Sequence, residues 1–269
     1  MIASLLLSLR EGLEAALIIG IVLGVLRKSE RTDLNRPLWA GVICAFILSI
    51  ISALLLHAVD KELEGTTEQI FEGVTLILAT GVLTWMIFWM RSQSKSMKSQ
   101  LETNVNKVTG LAGSGGLFFL SFIAVLREGI ELALYLTAAS LTSNGIQTLV
   151  GAVSGLIVAG LLGFLIYTSA LRLNLQRFFQ ITGVLLILFA AGLIAHSVAE
   201  FNEAGIIPAI ISPIWNLNPV LNDHSVLGTI FSTLFGYHAS PSLTEALGYA
   251  GYILITLWLF VRANKLQTS

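Results

Sequence analysis

Seven apolar stretches of this chain are each long enough to cross a hydrocarbon core of about 30 Å, and most of the polar residues lie in the joints between them. They fall at roughly 2–26, 37–59, 67–90, 114–140, 146–169, 178–199 and 243–262. The pattern predicts an all-α polytopic membrane protein with seven transmembrane helices. The first stretch is read as a retained span rather than a signal peptide. It has no basic leading region, ionisable residues interrupt it, and no small-residue cleavage site follows. Composition agrees: 55% of the 269 residues are hydrophobic and 12% charged, against about 25% charged in an ordinary soluble domain.

The joints carry a directional signal. Arg27, Lys28, Arg31 and Arg36 follow the first span, and Arg91, Lys95, Lys98 and Lys107 follow the third. Arg172 and Arg177 follow the fifth, and Arg262 and Lys265 the seventh. All four groups share one side of a seven-span topology, with only Lys61 opposite. Positive charge marks the cytoplasmic face, so the N-terminus is expected outside and the C-terminus in the cytoplasm. Acidic residues, among them Asp60, Glu62, Glu64, Asp223 and Glu245, gather toward the outer side. That bias fits either ordinary loop solvation or a vestibule that concentrates cations.

Charge inside the apolar runs is the unusual feature. Arg10-Glu11-Gly12-Leu13-Glu14 interrupts the first span and Arg127-Glu128-Gly129-Ile130-Glu131 the fourth, 117 residues later. One charge at a bilayer centre costs about 2.5–3.5 kcal/mol on insertion scales, so three per span need a function. Intrahelical salt bridges alone would be a poor use of six charges, because buried pairs seldom stabilise more than apolar replacements. The duplication extends further. Ala40-Gly41-Val42 parallels Val150-Gly151-Ala152, and the run from Gly73 parallels the run from Gly183. Three spans per unit is an odd number, so the second unit is expected to insert inverted. The expected organisation is one permease domain over 1–269. Repeat one covers about 1–90, repeat two about 113–199, an outer loop 200–242 and an unpaired seventh helix 243–262. Inverted repeats place a transporter's site near the midplane where they meet.

Residues three and four apart share a helix face, so Glu14 projects between Arg10 and Glu11, and Glu131 between Arg127 and Glu128. The candidate metal ligands are therefore Glu11, Glu14, Glu128 and Glu131, with Glu14 and Glu131 foremost, and Arg10 and Arg127 orient them. Gly12 and Gly129 leave room for close helix approach. Carboxylates are hard donors that suit Mg, Ca, Mn or iron. Four of them with two arginines leave a charge of −2, a match for a multivalent cation. Glu68 and Glu72, with His196, Glu200 and Glu203, form a candidate outer approach path. His57, His224 and His238 project to the same side with a weaker signal. The outer loop has four prolines and apolar stretches, which fits either a re-entrant segment or an irregular loop on the helix ends. The lone Cys44 allows no internal disulfide. The basic run from Arg91 to Lys107 suits anionic lipid headgroups, and nothing suggests nucleic-acid binding.

The doubled motif resembles that of the oxidase-dependent iron transporter family. Further stretches are similar to its bacterial Efe-type branch: Glu68 to Gly73, Thr84 to Arg91, Ile166-Tyr167 with Arg172 to Leu175, Phe201 to Gly205, His224-Ser225 and Phe235 to Tyr237. The short, Gly-rich connection between Thr109 and Gly116 departs from the pattern. The resemblance implies iron uptake across the plasma or bacterial inner membrane, with iron as substrate and no cofactor. It carries the family's essential glutamates onto Glu11, Glu14, Glu128 and Glu131, and its arginines onto Arg10 and Arg127. It also implies a periplasmic iron-binding protein and a haem peroxidase or ferroxidase as partners. Two alternatives remain. One is a permease for another divalent metal such as Mn or Pb. The other is a membrane di-iron oxidase, against which the lack of any Glu-x-x-His pair counts. Nucleotide-driven transport is not expected, because no phosphate-binding Gly-x-x-x-x-Gly-Lys motif occurs.

Overall fold

The computed structural model describes residues 1–93, 113–142, 144–168, 175–219 and 235–268, with isolated positions between 219 and 235. Most of the basic run from Arg91 to Lys107, the turn holding Arg172, and Asp223 and His224 lie outside the described residues. Seven long helices account for most of the rest. They are α1 (Ile2–Lys28), α2 (Asn35–Glu62), α3 (Thr66–Gln93), α4 (Gly113–Leu141), α5 (Gly145–Tyr167), α6 (Leu175–Glu203) and α7 (Leu243–Thr268). A 3-10 turn, Thr32–Leu34, leads into α2. No strand occurs among the described residues.

Local chemistry sets several helix ends. Asn144 caps α5 by accepting a 2.9 Å hydrogen bond from the Ile146 backbone N–H. α7 opens with a reciprocal capping box: the Glu245 N–H donates to Ser242 Oγ at 3.2 Å, and the Ser242 N–H to Glu245 Oε1 at 3.1 Å. Arg27 and Lys28 close the last turn of α1, where positive charge complements the exposed carbonyls.

Five segments are long and apolar enough to span a membrane: Thr32–Val59, Thr66–Met90, Gly145–Tyr167, Arg177–Glu203 and Leu243–Arg262. The two remaining long helices, α1 and α4, carry the doubled motif. Burial separates the spans into two layers. Half of the α6 span and 44% of the α3 span are buried, against 11% for the spans of α2 and α7. α3 and α6 thus join α1 and α4 in the interior. Leu54, Leu55, Leu161, Leu254 and Ile255 on the outer helices remain exposed, an apolar surface suited to lipid. The main core joins Leu7 of α1, Leu76 and Met86 of α3, Tyr135 of α4 and Leu186 of α6.

The most extensive pairings are α1 with α5, α2 with α4, and α3 with α6, while α7 lies along α6. Gly151 meets Ser4, Gly12 meets Ala159, and Gly163 meets Ala16, so α1 and α5 run parallel. Gly41 meets Ser121 and Gly129 meets Ser49, so α2 and α4 also run parallel. A short turn joins α4 to α5, which makes α4 antiparallel to α1. Between α3 and α6, Ser197 Oγ donates to the Gly73 carbonyl at 2.9 Å, and Ile87 lies over Gly183. Thr80 Oγ1 approaches the Ala190 carbonyl at 3.5 Å midway along that interface.

The connection after α6 is not a loop resting on the helix ends. Leu217 donates to the Ala239 carbonyl at 2.8 Å and Ile214 to that of Pro241 at 3.0 Å, so its two arms run against each other. Gly236, at φ +64°, then presses its backbone onto that of Gly192. Any side chain on Gly192 would collide with the Gly236 backbone, and the left-handed φ is open cheaply only to glycine. Gly192 lies about three turns below the end of α6, so the connection descends into the bundle.

Candidate metal centre

The motif helices cross in the interior and bury five of their six charges, all but Arg127. Arg10 and Glu11 are each 1% exposed, Glu14 4%, Glu128 5% and Glu131 8%. Carboxylate oxygens of Glu11, Glu128 and Glu131 all lie within 4.8 Å of one another. Both oxygens of Glu11, Oε2 of Glu128 and Oε2 of Glu131 have no hydrogen-bond partner among the described residues. A buried polar atom left unpaired costs about 1–3 kcal/mol, and more when charged, so this arrangement is poised for something that supplies positive charge. Three hard oxygen donors at that spacing suit a multivalent cation.

The arginines hold the site from its edges. Arg10 Nε is 3.3 Å from Glu14 Oε1, and Arg127 Nε is 2.9 Å from Glu131 Oε1. Both pairs have the four-residue spacing of neighbours on one helix face. Arg127 also stacks on α3, its guanidinium carbon 4.6 Å from the Trp89 ring centroid and 5.5 Å from that of Trp85. Such cation–π contacts fix the guanidinium plane without using its N–H donors.

Of the four glutamates singled out from sequence, the structure gathers three, and Glu14 is engaged by Arg10 instead. Gly12 and Gly129 do give close approaches, but to α5 and α2 rather than to each other's helix. A Cβ on Gly12 would sit 2.7 Å from that of Ala159, and one on Gly129 would overlap the Ser49 side chain.

The outer candidates also meet. Glu200 has Glu72, Glu203 and Glu68 as charged neighbours, and Gln69 Nε2 donates to Glu203 Oε2 at 3.4 Å. This acidic group lies at the end of the bundle where α1 and α3 begin and α6 ends. The His196 ring is 6.4 Å from that of His238, whose Nδ1 is 2.9 Å from Glu245 Oε2.

Four residues near the centre were missed. Trp85 and Trp89 looked like ordinary apolar positions. Ser8 and Tyr135 are both 0% exposed, and both hydroxyls lack a partner. Tyr135 was findable, since Glu128, Glu131 and Tyr135 follow the i, i+3, i+7 stripe of one helix face.

These features define a class: a multi-pass helical membrane protein with an acidic oxygen-donor centre between two interior helices. The chain belongs to the Iron permease FTR1 family, which it matches over residues 1–264. It is 36% identical over 262 residues to the ferrous iron permease EfeU of Yersinia pestis, covering 97% of this chain and 93% of that protein. It is equally identical over 263 residues to EfeU of an Escherichia coli strain, covering 97% and 95%. The same identity over 262 residues relates it to EfeU of Shigella sonnei, again covering 97% and 95%. No solved structure matches the chain.

Proposed function

We propose that this protein is an iron permease that takes up iron across the cytoplasmic membrane through the centre built by Glu11, Glu128 and Glu131. The observation that carries this reading is the convergence of three buried carboxylates, with unpartnered oxygens, from two helices of a membrane protein. Glu14, Arg10 and Arg127 hold the centre's charge and geometry. The two arginines oppose the acidic charge, so a captured ion is not trapped, as transport requires. The relatives are named ferrous iron permeases, which favours Fe(II) as the carried ion.

The architecture we propose is seven spans in two inverted three-helix repeats. The paired helix contacts support it. The motif offset of 117 relates Gly12 to Gly129 and Ser4 to Ser121. The offset of 110 between the later helices relates Ser49 to Ala159 and Gly41 to Gly151. The Gly12–Ala159 and Ser4–Gly151 contacts of α1 and α5 therefore have counterparts in Gly129–Ser49 and Ser121–Gly41 of α4 and α2. The same offset exchanges the Gly73–Ser197 and Ile87–Gly183 contacts, and pairs Thr80 with Ala190 near the axis. The distribution of basic joints favours an N-terminus outside and a C-terminus in the cytoplasm. The outer glutamates Glu68, Glu72, Glu200 and Glu203, with His196, then form the approach to the centre. A separate periplasmic iron-binding protein and a haem peroxidase or ferroxidase would supply the iron. The chain itself performs no covalent chemistry in this reading.

The test is radiolabelled iron uptake into proteoliposomes, with Fe(II) and Fe(III) supplied separately. Wild type is expected to accumulate iron, and Glu11→Gln/Glu131→Gln to accumulate none while inserting normally. Undiminished uptake in the double variant would remove the centre from the transport path.

A further inference from the structure

We propose that Tyr135 is a fourth oxygen ligand of the central cation, contributed by the α4 repeat alone. This inference rests on the iron reading above.

Its hydroxyl is fully buried and has no hydrogen-bond partner among the described residues. It stands one turn beyond Glu131 on the stripe that also carries Glu128, and it lies in the field of Glu11, Glu131, Arg10 and Glu14. A phenol that merely packed into the core could be a phenylalanine. One whose oxygen is buried with nothing to bond among the described residues, one turn from Glu131 on the same helix face, calls for a partner from outside the chain. Phenolic oxygen is also a hard donor, in keeping with the three carboxylates.

The position has no counterpart in the other repeat. The 117-residue offset relates Tyr135 to Ile18 and Ser8 to Val125, both apolar. Because α1 and α4 are antiparallel, Ser8 and Tyr135 lie on the same side of the carboxylates, toward the start of α1. Ile18 and Val125 lie on the other. The two sides of the carboxylates therefore differ, with hydroxyls at these positions toward the start of α1 and aliphatic side chains at their repeat counterparts.

With Fe(III) the binding step balances simply. The Tyr135 O–H bond breaks, an iron–oxygen bond forms, and the citrate that gives up the iron carries the proton away. The iron keeps its oxidation state. A phenolate bound to Fe(III) absorbs visible light by charge transfer, which packing alone cannot produce.

The experiment loads the purified full chain in detergent with radiolabelled ferric citrate and records both bound iron and the visible spectrum. Wild type is expected to show the charge-transfer band. Tyr135→Phe is expected to lose the band and to bind iron about tenfold or more weakly, at least the loss that follows removal of a ligand's supporting residue. Bound iron without a band in wild type would overturn the inference, as would an unchanged band and affinity in Tyr135→Phe. Neither result touches the carboxylate centre. Absence of bound iron in wild type with ferric citrate and also with anaerobic Fe(II) would overturn the iron reading and this ligand with it, whereas binding of Fe(II) alone would overturn only this ligand. A wild-type spectrum without the band overturns the inference even if Tyr135→Phe fails to fold, and a fold-preserving Tyr135→Leu serves as the second variant for assigning the band.

Discussion

The two copies of the Arg-Glu-Gly-aliphatic-Glu motif have nearly the same sequence and quite different surroundings. In α1, Arg10 is 1% exposed and its partner Glu14 stays outside the carboxylate cluster. In α4, the Arg127 side chain is 35% exposed and lies over Trp85 and Trp89, while its partner Glu131 is a cluster member. One copy thus contributes a single carboxylate to the centre, and the other contributes two. The repeat fixes where charges enter the membrane interior. The helices packed against each copy decide what those charges do.

Removing the arginines should break this comparison most sharply. Arg10→Met leaves the Glu14 carboxylate buried and uncompensated, a situation that costs about 3–5 kcal/mol. Arg127→Met is expected to cost clearly less, because its guanidinium is already partly open to its surroundings. Thermal unfolding of the two variants in one detergent measures the difference, and equal losses would mean the two sites are equivalent after all. Lysine should not rescue Arg10, since a compact ammonium cannot reproduce a planar fork.

The motif glycines sharpen the comparison at a smaller scale. Gly12→Ala and Gly129→Ala each force a methyl into a filled contact, an overpacking that costs about 1–3 kcal/mol. If the contacts assigned here are the cause, Ala159→Gly rescues only the first and Ser49→Gly only the second. Rescue by the opposite partner, read by the same melting assay, would reject the α1–α5 and α2–α4 registers. The smallest effect is expected from Trp89→Leu, which removes a cation–π contact of about 0.5–2 kcal/mol. It should raise the KM for iron uptake modestly.

Much of this was legible in the sequence. The spacing of apolar runs gave the seven helices, and the doubled motif pointed to the residues of the centre. Gly12 and Gly129 announced close approaches, although their partners belong to helices four and two positions away in the chain. The choice of Glu11 over Glu14 was not legible. It depends on how α1 and α4 are rotated against each other, and a single helix projection carries no such information. Trp85 and Trp89 were hidden for a different reason. An aromatic in an apolar run looks like core or lipid-facing surface until a cation from another helix is placed on it. Tyr135 shared a visible stripe with two glutamates, but its missing hydrogen-bond partner is a property of the packed bundle.

The cross-pairing of the helices also has a consequence for how the chain is made. α1 finds its most extensive partner in α5, and Gly12 and Ala159 are 147 positions apart. At a synthesis rate of roughly 5–20 residues per second, that interval lasts on the order of 7–30 s. For most of it, a helix bearing Arg10, Glu11 and Glu14 has neither α4 nor α5 to shelter its charges. The first span therefore emerges as the least self-sufficient piece of the protein. Its retention until the fifth has been threaded is a task for the insertion machinery rather than for the lipid.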